Sequence, residues 1–182
     1  MGLRDRGLLL KGAEGDNRAI RELWEIWYPR LKLYYKGSVP EKDVEDLIQE
    51  SMLKVFRNLS TYNPIYSPST WIYTIAFRTR TDWLRKESKR PLLKAVNDKE
   101  DIVETVPGRY PDPETEYLNS ESKSDVKSFL ESRDKRDREI LYLYCYEDLS
   151  GRAIAGIMDL PPETVRYRLK ILKQKLKEEL LQ

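Results

Sequence analysis

The final third of the chain contains a short apolar helix pattern, a break and a longer basic helix pattern. Ser150 stands where a helix N-cap is expected, and apolar residues follow it at helical spacing as far as Met158. Residues 159–161 break this helix, and Pro162 suits the first turn of the next one. The pattern predicts a helix-turn-helix.

The second helix of this pair has an apolar stripe and a basic stripe. Apolar residues recur at helical spacing between Val165 and Leu180, and lysines and arginines occupy another face. If the helix enters a DNA major groove, Arg166, Tyr167 and Lys170 lie nearest the bases, and Lys173 lies near backbone phosphates. An ordinary amphipathic helix with a solvated basic face fits the same pattern, so the helix alone leaves both interpretations open.

Composition excludes several classes of function. The chain has no histidine and one cysteine, so it lacks the commonest metal ligand and the usual general base, and it cannot form an intrachain disulfide. We therefore expect no zinc enzyme, no Ser-His hydrolase, no bound metal and no cofactor. Cys145 lies within an apolar run and is expected to be a buried structural thiol.

Charge and length indicate what kind of partner the chain can bind. Charged residues make up 35% of the 182 residues, but the net charge is only +2. Affinity for nucleic acid must therefore come from local basic clusters, which occur at 78–90 and 166–177. No apolar stretch is long enough to cross a bilayer, and we expect a cytoplasmic protein with no membrane insertion.

A first helical domain is predicted at 8–90. Asp16 is a candidate cap for an opening helix whose apolar face runs from Ala19 to Leu31. After a break at 36–40, a second helix turns apolar residues inward between Val44 and Leu59. Its polar face is acidic early and basic late, which also suits an ordinary surface helix stabilised by its dipole.

A loop over 60–69 leads into a third helix, from about Thr70 to Lys89, in which aromatic and basic residues alternate. Aromatic rings beside arginines can stack on unpaired bases, which suits single-stranded nucleic acid. Trp71 and Trp83 can also be core residues, and for Trp83 we expect the core.

Helical periodicity fails between 91 and 122, where acidic residues mix with proline and glycine. This composition predicts an acidic, largely irregular linker, followed by a second domain at 123–182. The linker can be a plain tether, or its negative charge can occupy a basic channel in place of nucleic acid. The sequence does not fix how the two domains are arranged.

Several short segments occur in a characteristic order. They are Glu14-Gly15-Asp16, Asp43-Val-Glu-Asp-Leu-Ile-Gln-Glu50, Ser69-Thr-Trp-Ile-Tyr-Thr-Ile-Ala76 and Asp82-Trp-Leu-Arg-Lys86. They resemble the first domain of the extracytoplasmic-function subfamily of sigma-70 factors, and the C-terminal helix-turn-helix resembles the second domain. Weak motifs in series are more specific than one helix-turn-helix. The resemblance implies an all-α fold of two small helical domains.

The resemblance also implies a transcription initiation factor. Members of this family bind bacterial core RNA polymerase and direct it to promoter DNA. The first domain melts the minus-ten element and the second reads the minus-thirty-five element, without covalent chemistry, so we expect no enzymatic activity. The family is often inhibited by an anti-sigma factor, which is therefore an expected partner. The acidic linker resembles a family segment that enters the polymerase active-site cleft, which favours its role as a nucleic-acid mimic.

The matched motifs imply three sets of contact residues. The polymerase contacts are Asp46, Gln49 and Glu50. The minus-ten contacts are Tyr62, Asn63, Tyr66, Thr70, Trp71, Arg78, Arg80, Arg85 and Lys86, in which the cations hold phosphates. The minus-thirty-five contacts are Thr164, Arg166, Tyr167, Arg168, Lys170 and Lys173.

Two positions depart from the family pattern. Phe77-Arg78 stands where the family usually has Arg-Asn, so a base-reading asparagine is missing. In the recognition helix, Tyr167 and Ile171 replace a small residue and an arginine. The promoter sequence therefore does not follow from the resemblance.

Two other functions fit parts of the sequence. An operator-binding regulator would use 16–90 as an effector or dimerisation domain and would bind duplex DNA tightly without polymerase. A phosphate-processing enzyme would use Asp43 and Asp46 as magnesium ligands, but no second carboxylate motif completes that site. Neither alternative needs the Asp-Leu-Ile-Gln-Glu helix together with the tryptophan-containing loop and helix, so the initiation factor is favoured.

Overall fold

The computed structural model describes residues 2–89 and 133–180. Within these ranges the chain forms helices and no β-strand, which confirms the predicted all-α fold. The helices are α1 (Gly2–Ala13), α2 (Asn17–Tyr35), α3 (Glu41–Arg57), α4 (Pro68–Lys89), α5 (Lys135–Cys145), α6 (Gly151–Met158) and α7 (Pro162–Leu180). A short 3-10 turn, Leu59–Thr61, follows α3. The predicted linker at 91–122 lies outside the described residues.

Helix α1 does not appear among the helices that the sequence predicts. It packs on α2 and buries Leu8 and Leu9. At Gly12 an added Cβ would lie 3.0 Å from Leu59 Cδ1, so a larger residue here would require the Leu59 side chain to shift, and glycine lets α1 approach the 3-10 turn closely. Glycines lower helix propensity, and α1 forms because burial of its leucines outweighs that cost.

Helices α2, α3 and α4 enclose the core of the first domain. The Asp16 carboxylate accepts the backbone N–H groups of Arg18 at 2.8 Å and Ala19 at 3.3 Å, which confirms the predicted cap of α2. Deeper in the core, the Tyr35 hydroxyl donates to the carbonyl of Ala76 at 2.9 Å and lies 2.6 Å from Ser51 Oγ. These bonds connect the three helices through buried polar groups that all have partners.

The second domain contains the predicted helix-turn-helix. Ser150 Oγ accepts the backbone N–H of Ala153 at 3.2 Å, which confirms the cap of α6. Asp159 ends α6 in the left-handed conformation, with φ of 53°, and α7 begins at Pro162 as the sequence predicts. Apolar residues of α5, α6 and α7 form its core: Ile140, Leu143, Ile154, Ile157, Val165, Leu169 and Leu172.

The expectation that Cys145 is buried is wrong. It occupies the last position of α5 and is exposed, whereas Leu141 and Leu143 point into the core. An apolar run in a helix covers every face, so membership of the run does not decide which of its residues the core receives.

The two domains pack directly against each other. Helix α4 of the first domain contacts α6 of the second. Three tyrosine rings also meet between the domains, with the Tyr142 centroid 5.9 Å from that of Tyr34 and 6.2 Å from that of Tyr73. The arrangement that the sequence leaves open is therefore a closed one.

Candidate polymerase and nucleic-acid interfaces

The predicted polymerase contacts lie on the outer face of α3. Asp46 and Gln49 are exposed, and Glu50 is half-buried with its carboxylate 2.8 Å from the Lys54 ammonium. The next residue on this stripe, Leu53, has 51% of its surface exposed. The structure thus brings the three predicted residues onto one surface and adds an apolar side chain that the sequence analysis does not include.

Glu45, a neighbouring carboxylate of α3, forms hydrogen bonds within the first domain. The Tyr28 hydroxyl donates to Glu45 at 2.6 Å, and Lys32 Nζ donates at 3.2 Å. The hydrogen bond from Tyr28 is the main cause that lowers the pKa of the Glu45 carboxyl. Because Glu45 connects α3 to α2 through these bonds, it fixes the orientation of the outer stripe of α3.

The loop before α4 has an inner and an outer part. Tyr62 is buried, and its ring centroid lies 5.2 Å from that of the half-buried Trp71. Its hydroxyl donates to the carbonyl of Tyr66 at 2.8 Å, and burial raises its pKa. Tyr62 therefore supports the loop, while the side chain of Tyr66 is exposed.

The outer part of the loop presents polar and apolar groups side by side. Asn63 is exposed, and its side-chain oxygen accepts the backbone N–H of Ile65 at 3.0 Å. Ile65, which is not among the residues predicted from the sequence, has 84% of its surface exposed. Ser67 Oγ accepts the backbone N–H of Thr70 at 3.0 Å, which places the half-buried Thr70 in the first turn of α4.

The predicted phosphate contacts of α4 divide into two groups. Arg78, Arg85 and Lys86 are exposed. Arg80 is only 8% exposed, and its Nη2 donates to both carboxylate oxygens of Glu139 in α5, at 2.9 and 2.7 Å. In this arrangement the Glu139 carboxylate of the second domain is therefore paired with the Arg80 guanidinium, which the sequence predicts to bind DNA phosphate.

A second ion pair crosses the domain interface nearby. The Arg30 guanidinium, which lies 3.9 Å from the Trp27 ring centroid, pairs with Glu147 after α5 and lies 3.3 Å from Asp5 of α1. The Tyr73 hydroxyl donates to Glu147 at 2.8 Å. Acidic side chains in a polar segment are usually solvated, so the sequence gives no signal that Glu139 and Glu147 would be interface residues.

The exposed face of the recognition helix borders an open groove of about 670 Å³. Arg166, Lys170 and Lys173 of α7 lie on one stripe of this groove and are exposed. Arg152 of α6 and Tyr144 of α5 also line the groove. Tyr167, also exposed, stands beside the stripe.

Two of the predicted minus-thirty-five contacts lie on a different side of α7. Arg168 follows Arg166 by two residues, about 200° around the helix axis. Its Nη1 donates to Asp137 of α5 at 2.6 Å and lies 3.5 Å from Asp134. Thr164 is half-buried and does not line the groove. The structure therefore separates Thr164 and Arg168 from the four exposed residues.

Among residues 2–89 and 133–180, no group of three or more His, Cys, Asp or Glu side chains is placed to hold a metal ion. The same residues contain no helix that is both long enough and apolar enough to span a membrane.

Comparison with known proteins identifies both domains. Residues 23–90 match the model of Sigma-70 region 2, and residues 134–176 match the model of Sigma-70 region 4. The ECF RNA polymerase sigma-E factor of Salmonella typhimurium strain LT2 is 30% identical over 170 residues, which cover 92% of this chain and 89% of the relative. The sigma-E factor of Haemophilus influenzae is 29% identical, with coverage of 92% and 90%.

Two solved structures share the fold. CnrH, in its complex with the cytosolic domain of CnrY, is 21% identical with a TM-score of 0.61 and covers 97% of both chains. The sigma factor RpoE of Bartonella quintana, in complex with the anti-sigma factor NepR, is 20% identical with a TM-score of 0.63. That match covers 88% of this chain and 95% of RpoE.

The two helical domains and the two matched regions define a sigma factor, the class of protein that directs bacterial RNA polymerase to promoters. The chain belongs to the extracytoplasmic-function family of RNA polymerase sigma factors, as the order of its motifs predicts.

Proposed function

We propose that α3 binds core RNA polymerase and that the two domains then engage the two elements of a promoter. The observation that carries this proposal is the simultaneous exposure of two unlike surfaces. The outer stripe of α3 is acidic and polar, and the groove beside α7 is basic. A regulator that acts on DNA alone has use for the second surface but not for the first.

The stripe on α3 combines the features of a protein interface. Asp46, Gln49 and Glu50 offer charge and hydrogen bonds that set register with a basic partner surface. Leu53 supplies an exposed apolar side chain that a partner can bury. Glu45 is committed to Tyr28 and Lys32, so the stripe is held in place by the domain behind it.

The loop at 62–66 and the start of α4 form the proposed minus-ten site. Asn63 and Tyr66 are exposed at the loop, and Trp71 stands against the buried Tyr62. Aromatic rings in this setting can stack on bases that have left the duplex. Thr70 lies beside Trp71, and Arg78, Arg85 and Lys86 would hold adjacent phosphates through contacts that salt weakens.

Arg80 can join these contacts only when the domains separate. Its guanidinium is enclosed by Glu139 and lies 5.4 Å from the Tyr34 ring centroid. A phosphate would have to replace the Glu139 carboxylate. The proposal therefore includes an opening of the domain interface before or during engagement of the minus-ten DNA.

The minus-thirty-five element would be read by the exposed residues of α7. Arg166 and Lys170 face the groove, and Tyr167 stands beside them. An arginine in the first turns of a recognition helix can form a bidentate contact with guanine. Arg168 and Thr164 would support the fold of the domain from the other side of α7.

We also propose an anti-sigma partner. The sigma factor RpoE of Bartonella quintana, which shares the fold, has been solved in complex with the anti-sigma factor NepR. CnrH, which also shares the fold, has been solved in complex with the cytosolic domain of CnrY. A protein that inhibits this chain would cover the α3 stripe or stabilise the closed arrangement. The proposed function in transcription initiation requires no covalent step by this chain. It takes place in the cytoplasm, where the polymerase transcribes.

The decisive experiment mixes the purified chain with bacterial core RNA polymerase and a library of promoter fragments. We expect RNA synthesis from defined start sites that core polymerase alone does not use. If the chain neither binds core polymerase nor creates start sites, but binds one duplex tightly by itself, the operator-binding regulator replaces this proposal.

A further inference from the structure

One end of the groove beside α7 contains two side chains that the sequence analysis does not assign to DNA. Tyr144, the penultimate residue of α5, and Arg152, in the first turn of α6, line the groove together with Lys170 and Lys173 of α7. Helices α5, α6 and α7 therefore all contribute to the lining of this groove.

Tyr144 holds the side chain of Lys173 in two ways. Lys173 Nζ donates to the Tyr144 hydroxyl at 2.6 Å and lies 4.0 Å from the centroid of the tyrosine ring. A free lysine side chain loses considerable rotamer entropy when it is fixed in one position. Here part of that loss is already incurred before any ligand arrives, which preorganises the ammonium group.

The distribution of charge along the groove indicates an anionic ligand. Its lining contains four cations and a single carboxylate, Glu163. Glu163 lies 3.5 Å from Arg166, at the opposite end from Tyr144 along α7. Within the part of the chain that the structure describes, no second carboxylate lines the groove beside Arg152, Lys170 and Lys173.

We propose that Arg152, Lys170 and Lys173 form a phosphate site for the DNA backbone and that Tyr144 is the positioning residue of Lys173. This inference rests on the proposed binding of duplex DNA by α7. Contacts to phosphate fix the register of a recognition helix on the duplex. The site would set how deeply Arg166 reaches into the groove, while Arg166 itself contacts the base edge.

The test uses the full-length chain and a fluorescent duplex of arbitrary sequence, because phosphate contacts do not depend on sequence. Affinity is measured over a range of salt concentrations for wild type, Lys173→Gln, Tyr144→Phe and the double variant. Lys175→Gln is the matched control, since Lys175 is exposed on the same helix but does not line the groove.

Lys173→Gln should reduce the slope of log affinity against log salt by about one, as expected for the loss of one phosphate contact. Tyr144→Phe keeps the ring but removes the hydrogen-bond acceptor, and should weaken binding about fivefold. In the Lys173→Gln background, Tyr144→Phe should have no further effect, because a positioning residue acts only through the residue that it positions.

Two results would overturn the phosphate site. One is a salt slope for Lys173→Gln that matches that of Lys175→Gln. The other is an equal loss of affinity from Tyr144→Phe with and without Lys173, which would indicate a general structural role.

Promoter-specific initiation is measured on the same variants with core polymerase. If wild type initiates and Lys173→Gln shows an unchanged salt dependence, the phosphate site fails and the proposed sigma function stands; if wild type does not initiate, the proposed function fails independently of the salt slopes.

Discussion

The guanidinium of Arg80 and the carboxylate of Glu139 form an ion pair across the two domains, with Nη2 and Oε2 2.7 Å apart. Their side chains are 9% and 7% exposed, and the Tyr34 hydroxyl donates to the same carboxylate. Two charges removed from water in this way depend on each other, because neither has solvent to replace its partner. The closed arrangement therefore depends on Glu139.

Replacement of Glu139 with glutamine should favour the open arrangement. It leaves the Arg80 charge enclosed without an opposite charge, and loss of one member of a buried ion pair typically costs about 3–5 kcal/mol. Opening of the domain interface relieves this cost without unfolding either domain. We expect small-angle X-ray scattering to show a larger radius of gyration. Glu163→Gln, an equal change of charge at an exposed position of the same domain, should leave the radius unchanged. Identical scattering from Glu139→Gln and wild type would contradict the inference.

Local signals in the sequence predict most of the fold. Asp16, Ser150 and Pro162 mark helix starts because capping and proline geometry involve only nearby backbone. The turn at Asp159 is predicted for the same reason. Helix α1 escapes prediction because its glycines weaken the local preference, and only burial of its leucines against α2 stabilises it.

The candidate sites are less predictable than the helices. A motif places Arg80 among the DNA contacts, but its partner Glu139 lies 59 residues away, and no local rule connects the two. Likewise, Arg166 and Arg168 have the same chemistry and lie two positions apart, yet only Arg166 lines the groove. Tertiary packing decides which side chain faces a ligand. Here Arg168 donates a hydrogen bond to Asp137 of α5, so its guanidinium contacts its own domain and does not line the groove.

The two arginines of α7 should therefore respond differently to substitution by alanine. Arg166→Ala should cost about 1–3 kcal/mol of discrimination at one base position of the minus-thirty-five element, if the side chain forms a bidentate contact. Arg168→Ala removes the charge-assisted hydrogen bond to Asp137 and should lower the free energy of unfolding by about 1 kcal/mol while base preference persists. Binding to a set of singly altered duplexes and chemical denaturation of both variants provide the measurements. Uniform weakening by Arg166→Ala across all duplexes would make it a phosphate contact.

The outer stripe of α3 should be required for polymerase binding alone. Substitution of both Gln49 and Glu50 with alanine should weaken binding to core polymerase by about 2 kcal/mol, because the pair lies on the exposed face beside Leu53. Affinity for a generic duplex, measured without polymerase, should be unaffected. Glu25→Ala, which removes an exposed carboxylate from α2, is the control for the change in charge. Equal polymerase affinity for the double variant and wild type would exclude this surface.

The reactivity of Cys145, the only cysteine of the chain, depends on the position of the Lys173 ammonium beside Tyr144. Although Cys145 is exposed, the protein around it removes part of the hydration of its thiol, which raises the pKa of that thiol; the nearby Lys173 ammonium opposes this rise. Because the thiolate is the reactive form, the pH midpoint for alkylation of Cys145 by iodoacetamide should lie above that of a free cysteine peptide. Lys173→Gln removes the positive charge that stabilises the thiolate and should move the midpoint still higher, whereas Lys175→Gln should not move it. A midpoint that falls in Lys173→Gln would show that the ammonium lies elsewhere, and would also remove the basis for its position beside Tyr144.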